Sequence, residues 1–139
     1  MTDDGSPSEH DDDDAARDHT FQLSEDVVEG IPVLHLAGEI DLAAAPALRD
    51  RLVALAQQLA AGGGAPGVVL DLDQVSFIDS TGLSVLVAAH SRLGESGRQL
   101  RVAAAPPRVR RVLELTGLDG LLLLYADVPS ALPGSTGAS

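Results

Sequence analysis

The residues best suited to chemistry form one short polar cluster between two apolar stretches. The cluster runs through Asp79, Ser80, Thr81 and Gly82, with Ile78 before it and Leu83 after it. The aliphatic run at residues 68–72 predicts a buried strand upstream, and apolar residues recur at helical spacing downstream. The cluster therefore lies where a strand turns into a helix, and it offers an exposed hydroxyl on a fixed backbone.

The start of a helix with this composition can be capped by a side chain, and it can also bind an anion. The hydroxyl of Ser80 or Thr81 is expected to accept a hydrogen bond from one of the first-turn N–H groups, which lack partners within the helix. The same helix end is electropositive, so it would tolerate a phosphate on Ser80. Capping alone is the competing interpretation. Gly82 falls in the first turn, where glycine costs about 1 kcal/mol relative to alanine, so we expect a partner to need close access there.

A second motif closes an earlier strand and opens the first helix. It consists of Gly38-Glu39-Ile40-Asp41-Leu42, with Pro46 and Leu48 shortly after. With both motifs at this separation, the chain resembles the STAS domain of bacterial anti-sigma-factor antagonists over about residues 21–132. It departs from that pattern at Ser84, where many relatives carry glycine, and this affects only the expected local packing.

The resemblance implies a phosphorylation switch. In that family, the serine that matches Ser80 is phosphorylated by a partner that is both an anti-sigma factor and a serine kinase. The unphosphorylated antagonist binds this partner and releases the sigma factor. A phosphoserine phosphatase would be a second partner. The partner-binding surface is expected to comprise Gly38, Glu39, Asp41, Asp79, Ser80, Thr81, Gly82 and Leu83.

Parallel strands would bring the two motifs together. Since the carboxyl ends of neighbouring parallel strands meet at one edge of a sheet, the loops after the second and third strands should lie side by side. Asp41 and Asp79 would then flank Ser80. Each of them is expected either to contact the partner or to cap its own turn.

The order of elements predicts an α/β fold. Strands are expected at residues 21–28, 31–37, 67–72, 99–103 and 121–125, the first two as a hairpin with a turn at Glu29-Gly30. The prediction is a single STAS domain at residues 20–132, with a mixed, mostly parallel sheet of about five strands. Helices in the crossovers would cover one face, and the other face would be partly open. A disordered acidic tail is expected at residues 1–19 and a flexible tail at 133–139.

Three helices are predicted by apolar residues that recur on one face. The first begins near Pro46 and ends before Gly62, and Pro106 and Pro107 start the third. A short helical turn is expected at residues 129–132. The three expected stripes are Leu48, Leu52, Leu55 and Leu59; Leu83, Leu86, Val87 and His90; and Val109, Val112, Leu113 and Thr116.

Composition excludes several kinds of chemistry. The chain has 139 residues, 45% of them hydrophobic, which suffices for one domain with an aliphatic core. It contains no cysteine and no lysine, so disulfides, thiolate catalysis, a P-loop lysine and Schiff-base chemistry are excluded. No apolar stretch is long enough for a membrane span and no signal peptide is visible, so a cytoplasmic protein with no membrane partner is expected. No cofactor is expected either.

The formal charge of −12 is concentrated at the N-terminus. Residues 1–18 contain eight acidic side chains and Arg17, a net −7, which leaves −5 for the rest. Such a segment attracts a basic partner, acts as an intramolecular inhibitor, or only keeps the protein soluble. Neither part of the chain is basic enough to favour direct contact with nucleic acid.

Other classes of function find less support. A hydrolase needs a base for Ser80, but His90 lies ten residues along the same helix, about 15 Å away at the standard rise, and His35 is in mid-strand. Asp71 and Asp73 share a strand face but have no visible third metal ligand. The glycine-rich loop at residues 62–67 lacks the lysine of a nucleotide site. The protein is therefore expected not to be an enzyme, and a STAS accessory subunit of a transporter or other signalling complex is the main alternative.

Overall fold

Five strands form one sheet in the order in which they occur along the chain. The computed structural model describes residues 21–133, so the tail predicted at 1–19 and all but the first residue of the tail predicted at 133–139 lie outside the described residues. The strands are β1 (Gln22–Val28), β2 (Ile31–Ile40), β3 (Gly67–Ile78), β4 (Gln99–Ala103) and β5 (Leu123–Tyr125). β1 is antiparallel to β2, and β2 to β5 are parallel.

Helices fill the connections between the parallel strands. They are α1 (Ala45–Ala60), α2 (Ser80–Gly94), α3 (Pro107–Leu115) and α4 (Val128–Ala131), with a 3-10 turn at Leu118–Gly120. The predicted α/β architecture, with a mostly parallel sheet of five strands, is therefore confirmed.

The hairpin between β1 and β2 depends on its two turn residues. Glu29 and Gly30 have φ angles of 53° and 81°, and Val28 pairs directly with Ile31. Two consecutive residues with positive φ give a turn whose twist matches that of the flanking strands. β1 therefore starts at the same end of the sheet at which β2 finishes.

The core lies between the sheet and the helices. Neighbouring strands place Leu34, Leu70 and Val102 in one row, each with 0% of its surface exposed. Full burial of such an aliphatic side chain contributes roughly 1.5–3 kcal/mol. All four leucines of the predicted α1 stripe are buried, and so are Val109 and Leu113 of α3. These parts of the predicted core are confirmed.

The predicted stripe of α2 is partly wrong. Leu86 is buried as expected, but Val87 and His90 are only half-buried, whereas Val85 and Ala89 are buried. Val85 and Ala89 line the groove between α1 and α2, so α1 covers part of this side of the helix. The predicted α3 stripe also runs one residue too far, since residue 116 lies beyond the last turn and is exposed.

β2 and β3 run further than the sequence pattern indicates. β2 ends at Ile40 rather than at residue 37, and β3 ends at Ile78 rather than at residue 72. Register shifts interrupt their pairing twice, and the N–H of Asp73 donates to the carboxylate of Asp71 beside the first of them. Such bulges break the alternation of apolar and polar residues on which the prediction relied. The extension pairs Ile40 with Ile78 at the end of the sheet.

β5 is shorter than predicted and is partly exposed. Leu121 caps the 3-10 turn instead of starting the strand, and Leu123 is 38% exposed. A three-residue strand at the edge of the sheet has a neighbouring strand on one side only, so its side chains are less covered. The short turn predicted at residues 129–132 is present as α4.

The second face of the sheet is partly open, as predicted, because His35 of β2 and Asp71 of β3 on that face are only half-buried. α4 packs near β4, where the guanidinium of Arg101 donates to the carbonyl of Ala131 at 2.8 Å and lies 5.6 Å from the ring centre of Tyr125.

The carboxylate of Asp127 caps α4 and accepts bonds from the hydroxyl of Ser130 at 2.6 Å and from its N–H at 2.9 Å. These bonds, the hydroxyl bond first, hold the pKa of the Asp127 carboxyl below its ordinary value of 3.8.

Acid should loosen α4 through this cap. A carboxyl whose pKa is lower in the folded chain contributes stability above its unfolded pKa, and that contribution is lost as the pH falls through the folded pKa. The amide resonance of Ser130 should therefore move at a pH below the ordinary carboxyl pKa. Asp127→Asn keeps an acceptor but cannot be protonated, so it should abolish that movement. An unchanged titration in the Asn variant would contradict the assignment.

Candidate functional site

The cap of α2 is Asp79, and the prediction of Ser80 or Thr81 as the cap is wrong. Asp79 has an extended backbone, and its carboxylate accepts a hydrogen bond from the N–H of Gly82 at 3.0 Å. Its carbonyl accepts from the N–H of Leu83 at 2.9 Å, so the helix begins at Ser80. A carboxylate is favoured at this position because it also interacts with the positive end of the helix dipole.

Ser80 is therefore left with an unused hydroxyl. It is the first residue of α2, it is exposed, and its side chain makes no hydrogen bond to any residue between 21 and 133. Its carbonyl accepts a bond from the hydroxyl of Ser84, one turn further on, at 2.9 Å. Thr81 beside it is half-buried. Of the two hydroxyls in the predicted cluster, that of Ser80 is the more accessible to an incoming group.

Gly82 holds the helix against the end of the sheet. A Cβ atom at this position would lie 2.6 Å from the carbonyl oxygen of Ile40 and 2.8 Å from side-chain atoms of Ile40 and Ile78. Real Cβ atoms do not make contacts this short, so glycine is required for the approach. The expectation that Gly82 keeps space clear for a partner is wrong. Gly82 is buried, and an added side chain would point into the sheet.

The two motifs meet through the backbone, as the parallel arrangement predicted. The N–H of Asp79 donates to the carbonyl of Ile40 at 3.2 Å, which joins the end of β3 to the end of β2. Directly after Ile40, the carboxylate of Asp41 accepts bonds from the N–H groups of Ala43 and Ala44, both at 3.1 Å. Each aspartate thus caps its own turn, and the two caps lie at adjacent strand ends.

The remaining predicted site residues differ in exposure. Gly38 and Glu39 are half-buried, whereas Leu83 is buried. Gly38 has a φ of 94° and lies at one of the register shifts between β2 and β3, where a glycine lets the strand bend. Glu39 brings a third carboxylate to the edge that carries Asp41 and Asp79. The surroundings of Ser80 are therefore negatively charged.

Two exposed apolar side chains at this edge were not predicted as site residues. Leu42, directly after Asp41, is 72% exposed, and Phe77, which pairs with Glu39, is 42% exposed. Exposed large apolar residues beside a polar cluster are typical of protein–protein interfaces. The only signal in the sequence was an apolar residue type, and that type alone indicates burial.

The histidine of the open face is held by a neighbouring carboxylate. Nδ1 of His35 lies 2.7 Å from a carboxylate oxygen of Asp71, and the His35 side chain is 40% exposed. His35 is therefore a satisfied sheet residue, and the contact engages one of the two aspartates considered for a metal. Residues 21–133 gather no group of three potential metal ligands. No helix in this part of the chain is long and apolar enough to span a membrane.

Comparison with known proteins identifies the family. Residues 22–131 match the family model of the STAS domain. The chain is 36% identical over 108 residues to the anti-sigma-F factor antagonist RsfB of Mycobacterium tuberculosis, covering 78% of this chain and 84% of that protein. It is 36% identical over 93 residues to the anti-sigma-B factor antagonist of Bacillus subtilis, covering 67% of this chain and 80% of that protein. The chain belongs to the STAS domain family.

Solved structures have the same fold. An anti-sigma factor antagonist from Mycobacterium paratuberculosis has a TM-score of 0.72 at 32% identity, covering 84% of this chain and 95% of that one. A sulfate transporter family protein from Wolinella succinogenes has a TM-score of 0.61 at 19% identity, covering 74% and 82%, and this likeness concerns the fold alone. The predicted family and fold are confirmed.

Gly82 and Gly94, at opposite ends of α2, should respond differently to alanine. Gly82→Ala must push the helix away from Ile40, so the free energy of unfolding should fall by about 1–3 kcal/mol. A Cβ at Gly94 would meet nothing within 4 Å, so Gly94→Ala should be neutral or stabilise the protein by up to about 1 kcal/mol. Denaturant unfolding measures both changes. Equal effects in the two variants would show that Gly82 is not tightly enclosed.

Proposed function

We propose that this protein is an anti-sigma-factor antagonist controlled by phosphorylation of Ser80. With Ser80 unmodified, it binds an anti-sigma factor that has serine kinase activity, and the sigma factor is released. The kinase then phosphorylates Ser80, and the complex dissociates. A phosphoserine phosphatase restores the unphosphorylated form, which binds again. The observation that carries this proposal is the exposed hydroxyl of Ser80, which α2 does not use for its own cap.

The relatives support this role over its alternative. Two relatives at 36% identity are named as antagonists of anti-sigma factors, and both are matched over most of their length. A STAS accessory subunit of a transporter or other complex is supported by a shared fold alone. That alternative gives no reason for an exposed, unbonded serine at the start of α2.

The proposed partner surface is the edge formed by the two motifs. Its accessible atoms come from Gly38, Glu39, Asp41, Asp79, Ser80 and Thr81. Gly82 and Leu83 act from beneath, because they are buried and set the position of the first turn. We add Leu42 and Phe77 as the apolar part of the same surface.

Phosphorylation would act locally on this surface. A phosphate adds about −1.5 to −2 charges beside Asp79, on an edge that already carries three carboxylates. The positive end of α2 can accommodate it in the free protein, so the fold need not change. In the complex, the phosphate would lose its hydrating water, and it would face a partner surface that fits a neutral hydroxyl. That desolvation cost opposes binding.

Ser80→Ala should remove phosphorylation without removing binding. Because Asp79 caps the helix, the substitution breaks no hydrogen bond to a described residue, and the free energy of unfolding should change by less than about 0.5 kcal/mol. Intact-mass measurement after incubation with an anti-sigma kinase and ATP should show one added phosphate on the wild type and none on the variant. Ser84→Ala, one turn along, is the control and should be phosphorylated normally. A phosphate retained in Ser80→Ala would refute the assignment.

Leu42 and Leu115 form a matched pair for mapping the partner surface. Their side chains are 72% and 73% exposed, but Leu42 follows Asp41 and Leu115 is the last residue of α3. Leu42→Ala should weaken binding to the anti-sigma factor about tenfold, which corresponds to about 1.4 kcal/mol. Leu115→Ala should leave the affinity unchanged. Calorimetric titration compares the two, and equal affinities would place the interface elsewhere.

A further inference from the structure

Helix α3 carries three arginines whose side chains have no partner in the described chain. Arg108, Arg110 and Arg111 are exposed, and none of their guanidinium groups forms a salt bridge or hydrogen bond with residues 21–133. By contrast, Arg51 of α1 is paired with Glu25 of β1. The outer surface of α3 is therefore a concentration of uncompensated positive charge.

This charge is opposite in sign to that of the domain. Residues 21–133 contain thirteen acidic side chains and eight arginines, a net −5. α3 nevertheless has three guanidinium groups within four residues and one acidic residue, Glu114. Val109 and Leu113 are its buried residues, so the arginines lie toward solvent. Guanidinium groups in such a row attract carboxylates, with which they form paired hydrogen bonds.

The most acidic part of the chain is its own N-terminal segment. Residues 1–18 have a net charge of −7, and residues 11–14 are four consecutive aspartates. The described structure starts at Phe21, just before Gln22, which pairs near the end of β2. α3 follows the end of β4, which is parallel to β2, so it starts at the same end of the sheet. Phe21 and the start of α3 therefore lie toward the same end of the sheet.

The segment is long enough to reach α3. β1 and β4 are separated by three strand spacings, or about 14 Å at about 4.8 Å each. Residue 14 is seven positions before Phe21, and seven extended residues span up to about 23 Å.

The groove between α1 and α2 is an alternative basic binding region for the same segment. α1 and α2 form a groove of about 320 Å³ that is lined in part by Arg49 and Arg92. Arg49 already lies 3.5 Å from Asp50, so Arg92 is the one unpaired arginine of this groove within the described chain. Since three unpaired guanidinium groups attract four aspartates more strongly than one does, α3 is the better site.

We propose that the aspartates at residues 11–14 bind Arg108, Arg110 and Arg111 of the same chain. Contacts between exposed charges are individually weak and are screened by salt, but several charges on each side and a short tether act together. The contact is independent of the proposed function, because it involves this chain alone.

Paramagnetic relaxation in the full chain tests this contact. The chain has no cysteine, so His10→Cys accepts a single spin label next to the aspartates. The amide signals of residues 108–111 should be broadened strongly, and those around Arg92 only weakly. Raising the salt concentration to about 1 M, where the Debye length is about 3 Å, should remove most of the broadening.

Charge-neutral variants provide the controls. Asparagine at the four aspartates, or glutamine in place of Arg108, Arg110 and Arg111, should each reduce the broadening of α3 several-fold. Arg49→Gln combined with Arg92→Gln should leave it unchanged. Broadening that survives both neutralised variants, or that is centred on Arg92, overturns the proposal. Equal broadening in a mixture of spin-labelled protein and unlabelled, isotopically enriched protein also overturns it, because the segment would then act on a second copy.

Discussion

The position of the site depends on the close approach of Gly82 to the backbone of Ile40. With no side chain between them, the first turn of α2 packs against the paired ends of β2 and β3, where Ile40 meets Ile78. Asp79 can then bond in two directions, with its N–H to Ile40 and its carboxylate to Gly82. The placement of Ser80 follows from these contacts, because its own side chain makes none within the described chain.

In this short segment, the residues that support the fold differ from the residue that is exposed at the surface. Asp79 and Gly82 hold the helix end, so Ser80 can be modified without the loss of a bond that the fold needs. A hydroxyl that capped its own helix would lose that bond on phosphorylation, and the modification would then disturb the domain. In the proposed switch, the phosphate changes what a partner meets and leaves the helix in place.

The sequence predicted the elements whose periodic signal is long and uninterrupted. The four-leucine stripe of α1, the hairpin turn and the order of strands and helices are all found in the structure. The ends of β2 and β3 were missed because bulges break the period of two on which strand prediction rests. The identity of the cap was left open, because Asp79, Ser80 and Thr81 are all good cap residues and the position at which the helix begins decides between them. The exposure of Leu42 and Phe77 was missed because apolar residue types indicate burial.

Amide spectra of the protein with and without a phosphate on Ser80 test the central claim that the proposed switch is local. The account predicts shifts confined to the first turn of α2 and to the adjacent turn at Asp41, with β4, β5 and α1 unchanged. Shifts that spread through those three elements would contradict it, because they would show that the phosphate moves α2 away from its contact with Ile40.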